Sequence, residues 1–218
     1  MGEPKQFLDL LGRPALSYAL RAFEETPEVA RIYVVGDRQR VEGLVQEYGI
    51  SKYADCTPPG ERRSFSTRNG LALLEEDSST VVLVHDGARC LLTPDLIRRV
   101  VTTIGVSGAD GVVPALPVSD TIKVAEDGDV VETLDRVRLH AVQTPQAFRL
   151  GPFRDLHGGP EERLRAATDD ASLVEAAGGR VLLVAGEKTN IKLTTPEDLV
   201  LAEAILTARA GMSSGARS

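Results

Sequence analysis

Tryptophan is absent from this chain of 218 residues, and phenylalanine and tyrosine bring the aromatic content to only 4%. The core must therefore be aliphatic, built from the residues that raise the hydrophobic share to 42%. Cysteine is scarce as well. Cys56 and Cys90 are too few for a disulfide framework or a thiolate zinc site, which points to a reducing, cytoplasmic setting. His85, His140 and His157 show no ligand spacing, so no transition-metal centre is expected. No apolar run approaches the roughly 20 residues of a membrane-spanning helix, and the first residues lack the apolar stretch of a secretion signal. Positive charge is also in deficit, with a net charge of −7, which argues against general nucleic-acid binding. An anionic small molecule needs a local cluster of Lys and Arg, set against that overall field.

What is present is alternation. Helix-like and strand-like runs follow one another, the signature of an α/β fold with a mostly parallel sheet and crossover helices. Pro14 to Glu25 carries Leu16, Ala19, Leu20 and Phe23 at helical spacing behind a proline. Arg31 to Val35 is a short β-branched run, and Asp37 is placed to cap a helix bearing Val41, Leu44, Val45 and Tyr48. A further helix is expected at about Ser66 to Glu75, after the Pro58-Pro59-Gly60 turn. Thr80 to Val84 is the clearest buried strand, Pro94 opens a helix, and Gly111 to Ala115 and Arg180 to Ala185 read as strands. From about 118 to 139 the period changes to two around Asp127-Gly128-Asp129, which predicts a β-hairpin of the kind used as an arm. Asp169 to Ala177 is helical, and Thr195-Pro196 opens a last helix. One domain is expected over 1–209, followed by a small, polar tail at 210–218.

Several constellations could carry chemistry, and each also has a plain structural reading. His85-Asp86-Gly87-Ala88-Arg89 leaves the strand where an open α/β sheet binds ligands. Asp86 and Arg89 could there hold a ribose or Mg²⁺ and a phosphate, or simply pair with each other. Gly60 to Ser66 leads into a helix, either as an anion or nucleotide site using Arg63 and Ser66 or as a capped helix with solvated arginines. Thr121 and Arg136 lie on the hairpin limbs, where exposed polar residues are usually solvated. Thr144 in Gln143-Thr144-Pro145-Gln146, and Thr168 before Asp169-Asp170, sit in a turn and at a helix cap. Lys192 follows Asn190-Ile191 in a short loop. Cys90 has no base beside it in sequence and is not expected to be a nucleophile.

Taken in order, Pro4-Lys5-Gln6, Gly60 to Ser66, His85 to Arg89, Asp120-Thr121-Ile122-Lys123, Asp135-Arg136, Gln143 to Gln146, Thr168 to Ser172 and Asn190-Ile191-Lys192 resemble one family. It is the 2-C-methyl-D-erythritol 4-phosphate cytidylyltransferases of the non-mevalonate isoprenoid pathway, and the match runs from about Pro4 to Leu206. The resemblance implies a Rossmann-like nucleotidyltransferase fold and a homodimer whose hairpin arm completes the partner's site. It implies CTP and a polyol phosphate as substrates, with Mg²⁺ on the triphosphate. Lys5 would contact the triphosphate, and Arg63 and Ser66 would lie near the cytidine. Asp86 would stand between ribose, metal and substrate, with Arg89 beside it. Thr121 and Arg136 would hold the polyol phosphate from the arm, while Thr144, Thr168 and Lys192 line the pocket. Lys5, Lys192 and Asp86 are the residues expected to serve the chemistry.

The family pattern also places a central strand and a glycine-rich phosphate loop ahead of Pro4. On that pattern the sequence as written lacks both, which would leave the edges of two neighbouring strands unpaired. Cys90 stands where the family usually has proline, and Phe65 replaces a polar residue. The competing readings are a ribitol-5-phosphate cytidylyltransferase and a truncated, non-catalytic dimeric homologue.

Overall fold

A proline entry or an aspartate cap marks most helix starts in this chain, and the computed structural model, which describes residues 4–215, follows those signals. Met1 to Glu3, the point at which the family loop would end, and 216–218 lie outside the described residues. Strands β1 (Asp9–Leu10) and β2 (Arg13–Pro14) form a short antiparallel pair. Leu11 and Gly12 turn between them at φ 55° and 79°. Helix α1 (Ala15–Glu24) buries Leu16, Ala19 and Leu20, which is the stripe its spacing sets. Strand β3 (Ile32–Val35) leads to α2 (Arg38–Tyr48), whose cap Asp37 accepts the Arg40 N–H and whose end is closed by Gly49 at φ 62°. β4 (Tyr53–Thr57) pairs with β3 in parallel. Then come α3 (Arg63–Leu71), β5 (Val81–Val84), α4 (Pro94–Ser107) capped by Thr93, and β6 (Gly111–Pro117).

The predicted hairpin is present as β7 (Lys123–Glu126) and β8 (Asp129–Thr133), joined by Asp127 and Gly128 at positive φ. The remaining elements are β9 (His140–Val142), β10 (Gln146–Arg149), α5 (Leu150–His157), α6 (Glu161–Ala166), α7 (Asp170–Ala176), β11 (Val181–Ala185) and α8 (Pro196–Gly215). Two helices differ from expectation in their boundaries. Helix α3 starts at Arg63 rather than Ser66, because Ser66 reaches back to accept the Gly60 N–H instead of capping, and it ends at Leu71 rather than Glu75. Helix α8 continues to Gly215, across much of the segment that composition marks as a tail.

The main sheet is mixed, which corrects the expected mostly parallel arrangement. Its order is β11-β6-β10-β5, with β9 also on β6. β11 runs parallel to β6, but β10 lies antiparallel to both β5 and β6, and β9 is antiparallel to β6. The physical reason is that the chain between β6 and β9 returns through the β7–β8 hairpin rather than across an α-helix, so β9 and then β10 run back alongside β6. The β3–β4 pair forms no strand pairing with this sheet among the described residues. A largely apolar cavity of about 1060 Å³ separates β3 from β5, lined by Val34, Val35, Val82 and Val84 and reaching Arg63, Asp86 and Lys192.

Cys56 and Cys90 are buried, and burial pushes the Cys90 thiol up to about 11. Both are expected to resist iodoacetamide at pH 8 in the folded chain and to react once it is unfolded, as read by intact mass. Alkylation of Cys90 in the folded chain would contradict its placement in the core beside Leu91 and Leu193.

Candidate functional site

Strand β5 ends at Val84, and the next residues turn out of the sheet plane, so the side chains of His85 to Arg89 are delivered to its carboxyl edge. There they meet loops from three distant parts of the chain. Asp86 stands at the centre. Its Oδ1 accepts from Arg63 Nε of α3 at 2.8 Å, and its Oδ2 accepts from Lys192 Nζ at 2.8 Å. Burial pushes the Asp86 pKa up, but Arg63 and Lys192 together outweigh it and hold the carboxyl well below the usual range. Arg63 Nη1 also reaches Asp170 Oδ2 at the start of α7. Desolvation lowers the Arg63 pKa, yet Asp170 and Asp86 reverse that effect and raise it.

Thr144 fixes the turn. Its Oγ1 accepts the Asp86 N–H at 3.0 Å and therefore donates its single proton to His85 Nδ1 at 2.9 Å. The remaining ring proton, on Nε2, is then donated to the Arg89 carbonyl at 3.0 Å. His85 is thus held neutral, and desolvation lowers its pKa from the usual 6.5 to about 4. Below pH 6.5 the unfolded chain takes up this proton and the folded chain does not. Protonation therefore favours unfolding, and stability falls as pH drops from 6.5 to about 4. Carboxylates held below their usual values add to the loss near the acid end of this range, Glu24 and Glu76 as pH falls through 4.5 and Asp86 and Asp198 as it falls through 3.8. The slope between pH 6.5 and about 5 is therefore the part that belongs to His85. The expected result is a urea midpoint that declines over that interval and flattens in His85→Gln; equal slopes for the two proteins would refute the assignment.

The loop carrying Lys192 is sewn to the same edge. Leu193 N–H donates to the Ala88 carbonyl at 2.9 Å, and Asn190 Nδ2 to the Thr144 carbonyl at 2.9 Å. Arg89 donates to the Asn190 and Val142 carbonyls, and burial lowers its pKa. Lys5 Nζ donates to Thr194 O at 2.6 Å, so two lysines from opposite ends of the chain meet on one loop. Lys5 gives one proton to the Thr194 carbonyl and Lys192 one to Asp86, and neither ammonium has a second hydrogen-bond partner among the described residues. At the mouth of α3, Gly60 is required: a Cβ there would stand 2.5 Å from Phe65 Cβ. Ser66 ties this turn through the Gly60 N–H and the Arg62 carbonyl.

The structure therefore brings together Lys5, Arg63, Asp86, Arg89, Thr144 and Lys192. Thr168 is exposed, two residues before Asp170. Thr121 and Arg136 belong to the hairpin instead: both are exposed, and Arg136 Nη1 donates to the Ser119 carbonyl at 2.9 Å. Two contributors escape sequence reasoning. Asp170 reads as the second residue of a cap, yet Asp169 alone caps α7 by accepting the Ser172 N–H, and that redundancy was the available signal. His157, buried 3.3 Å from Asp170, carries no signal in sequence. For a cation, Asp86 is the carboxylate that lies beside Lys192 at the edge of the cavity. Among the described residues no group of three His, Cys, Asp or Glu could hold a metal. This donor set suits Mg²⁺, which is usually carried by substrate phosphates and waters with one or two carboxylates.

Residues 1–208 match a family model described as IspD, 2-C-methyl-D-erythritol 4-phosphate cytidylyltransferase. The chain is 61% identical over 209 residues to the protein of that name from Rubrobacter xylanophilus, covering 96% of this chain and 90% of the other. It is 45% identical to the one from Pelotomaculum thermopropionicum, covering 95% and 88%. A crystal structure of a 4-diphosphocytidyl-2C-methyl-D-erythritol synthase superposes with a TM-score of 0.82 at 32% identity, over 93% of this chain and 94% of the other. The Thermus thermophilus cytidylyltransferase superposes at 0.77 with 33% identity, over 94% of each chain.

Proposed function

The chain belongs to the 2-C-methyl-D-erythritol 4-phosphate cytidylyltransferase family, and on that premise we propose that it transfers a cytidylyl group from CTP to 2-C-methyl-D-erythritol 4-phosphate. A phosphate monoester has a second pKa of about 6, so at neutral pH the acceptor oxygen is already a nucleophile and needs no general base. That oxygen bonds to the α-phosphorus of CTP. The bond to the bridging oxygen breaks, and pyrophosphate leaves with the electron pair. The protein's task is positioning and neutralisation of the accumulating negative charge.

The observation that carries this reading is the convergence of Lys5 and Lys192 on one loop beside Asp86. Lys5 and Lys192 supply countercharge to the triphosphate. Asp86 holds Lys192 in place and is the group that would touch Mg²⁺, which when bound adds countercharge to the phosphates. Arg89 and Thr144 line the acceptor side, Ser66 keeps the α3 turn in shape near the cytidine, and Thr168 lies at the rim. Arg63, engaged with two carboxylates, serves to fix Asp86 rather than to face the base.

The hairpin supports a dimer arm. It pairs with no other strand among the described residues, and Val130, Val131 and Val137 are 60%, 53% and 81% exposed. Thr121 and Arg136 on this arm would then reach a partner's acceptor site. Sedimentation is expected to give a dimer that Val130→Asp/Val131→Asp converts to a monomer; an unchanged mass in the variant would remove the arm from the interface. No helix among the described residues is long and apolar enough to cross a membrane, in keeping with a cytoplasmic enzyme.

The function is tested by CTP-dependent pyrophosphate release with alternative acceptors. Release with 2-C-methyl-D-erythritol 4-phosphate at a kcat/KM well above that with ribitol 5-phosphate is expected. Preference for ribitol 5-phosphate would overturn the acceptor assignment.

A further inference from the structure

Asp170 is 1% exposed and lies in no direct contact with Asp86 or Lys192, yet its carboxylate is the far anchor of Arg63. One oxygen accepts from Arg63 Nη1, and the other lies 3.3 Å from Nε2 of His157, itself 1% exposed. His157 is wedged in turn against Phe153, with ring centroids 4.4 Å apart and Nδ1 3.2 Å from the Phe153 carbonyl. A chain of neighbouring groups thus runs His157, Asp170, Arg63, Asp86, Lys192, from the core under α5 to the open site. Its first link is a 3.3 Å contact without a hydrogen bond, and the others are hydrogen-bonded.

Burying a carboxylate among apolar side chains is costly even when it is paired, and apolar residues of similar volume often stabilise as well or better. Stability alone is therefore a weak account of Asp170. Geometry gives a stronger one. Arg63 is a planar fork with donors in fixed directions: Nη1 on Asp170 and Nε on Asp86 fix the plane and thereby the tilt of the Asp86 carboxylate. That tilt decides where Oδ2 presents Lys192 Nζ, 2.8 Å away.

We propose that Asp170 is a positioning residue for the transfer reaction, aligning Lys192 with the triphosphate through Arg63 and Asp86. This rests on the function proposed above. His157 packs against the second oxygen of Asp170 at 3.3 Å. In Asp170→Asn one arm of the fork loses its charged partner, Arg63 is free to swing, and Lys192 is held at a less defined point.

Two measurements on the full-length chain test this. The first is kinetic. Asp170→Asn is expected to lower kcat about 10- to 100-fold with KM for CTP within about threefold, because ground-state contacts are kept. The decisive comparison is Asp170→Asn/Lys192→Ala, which should lose little beyond Lys192→Ala alone, since the two act as one unit. Multiplicative losses, or a fall in kcat that only follows the folded fraction, would overturn the positioning role. The second measurement needs no turnover. With ¹⁵N-lysine labelling, the Lys192 ammonium signal is expected to move or broaden in Asp170→Asn while that of Lys52, held by the Phe23 and Thr26 carbonyls, stays put. An unmoved Lys192 signal overturns the proposal. A wild-type chain that forms no product would overturn the functional reading, and the Lys192 signal would still decide the role of Asp170.

Discussion

Lys192→Ala is expected to lower kcat for cytidylyl transfer by about 100- to 1000-fold, the usual cost of removing one group aimed at transition-state charge. Its side chain is 43% exposed and pairs with a single oxygen of Asp86, and such open pairs contribute only about 0–1 kcal/mol to stability. The thermal midpoint should therefore barely move, which separates this variant from one that merely unfolds. Asp86 keeps Arg63 as partner, so its charge is not stranded. Among the described residues the Lys192 ammonium donates to Asp86 alone, which leaves two protons that a triphosphate oxygen would take. If Lys192→Ala kept kcat within about threefold of wild type, the assignment of transition-state countercharge to this lysine would fail.

Phe153→Ala should have the largest effect on folding. Phe153 and Phe148 stack with centroids 4.2 Å apart and an interplanar angle of 6°, and the two are 1% and 0% exposed. In a chain with so few aromatics they are among the largest fully buried side chains and join β10 to α5. Deleting such a ring costs about 3–5 kcal/mol through lost transfer energy and the residual cavity. That is a large share of the roughly 5–15 kcal/mol that holds a domain folded. Urea unfolding should show the loss directly. The variant also withdraws the ring against which His157 rests, so residual activity should fall further than the folded fraction alone explains. A loss below about 1 kcal/mol would mean that α5 packs loosely and cannot act as the rigid base of the site.

The elements that sequence made legible are those whose signals are local. The aliphatic runs 81–84 and 181–185, the Asp37 cap, the proline entries at 94 and 196 and the Asp127-Gly128 turn depend on neighbours along the chain, and each is where its residues put it. The sheet's direction is not local. β10 opens with Gln146, whose side chain binds Asp169 Oδ2 and the Ala171 N–H, so a polar residue sits buried in a strand and breaks the apolar pattern. β9 is exposed along its length and has no buried face to advertise. The parallel prediction failed on these two short strands.

The site divides the same way. Asp86, Arg89, Thr144 and Lys192 were named because their motifs appear in order along the chain, and the fold joins them by bonds from residue 144 to residue 86 and from 192 to 86. Arg63 was identified, but its direction was not: two carboxylates 84 positions apart in sequence turn it inward. Asp170 and His157 owe their importance to burial, which no spacing records.

The most direct test of the account is ³¹P NMR of the chain incubated with CTP, Mg²⁺ and 2-C-methyl-D-erythritol 4-phosphate. The predicted spectrum shows the acceptor monoester signal disappearing into a pair of coupled diphosphate resonances as free pyrophosphate grows in equal amount. An acceptor signal that persists, with CTP intact or hydrolysed to CMP without the coupled pair, would contradict the claim that this chain transfers a cytidylyl group.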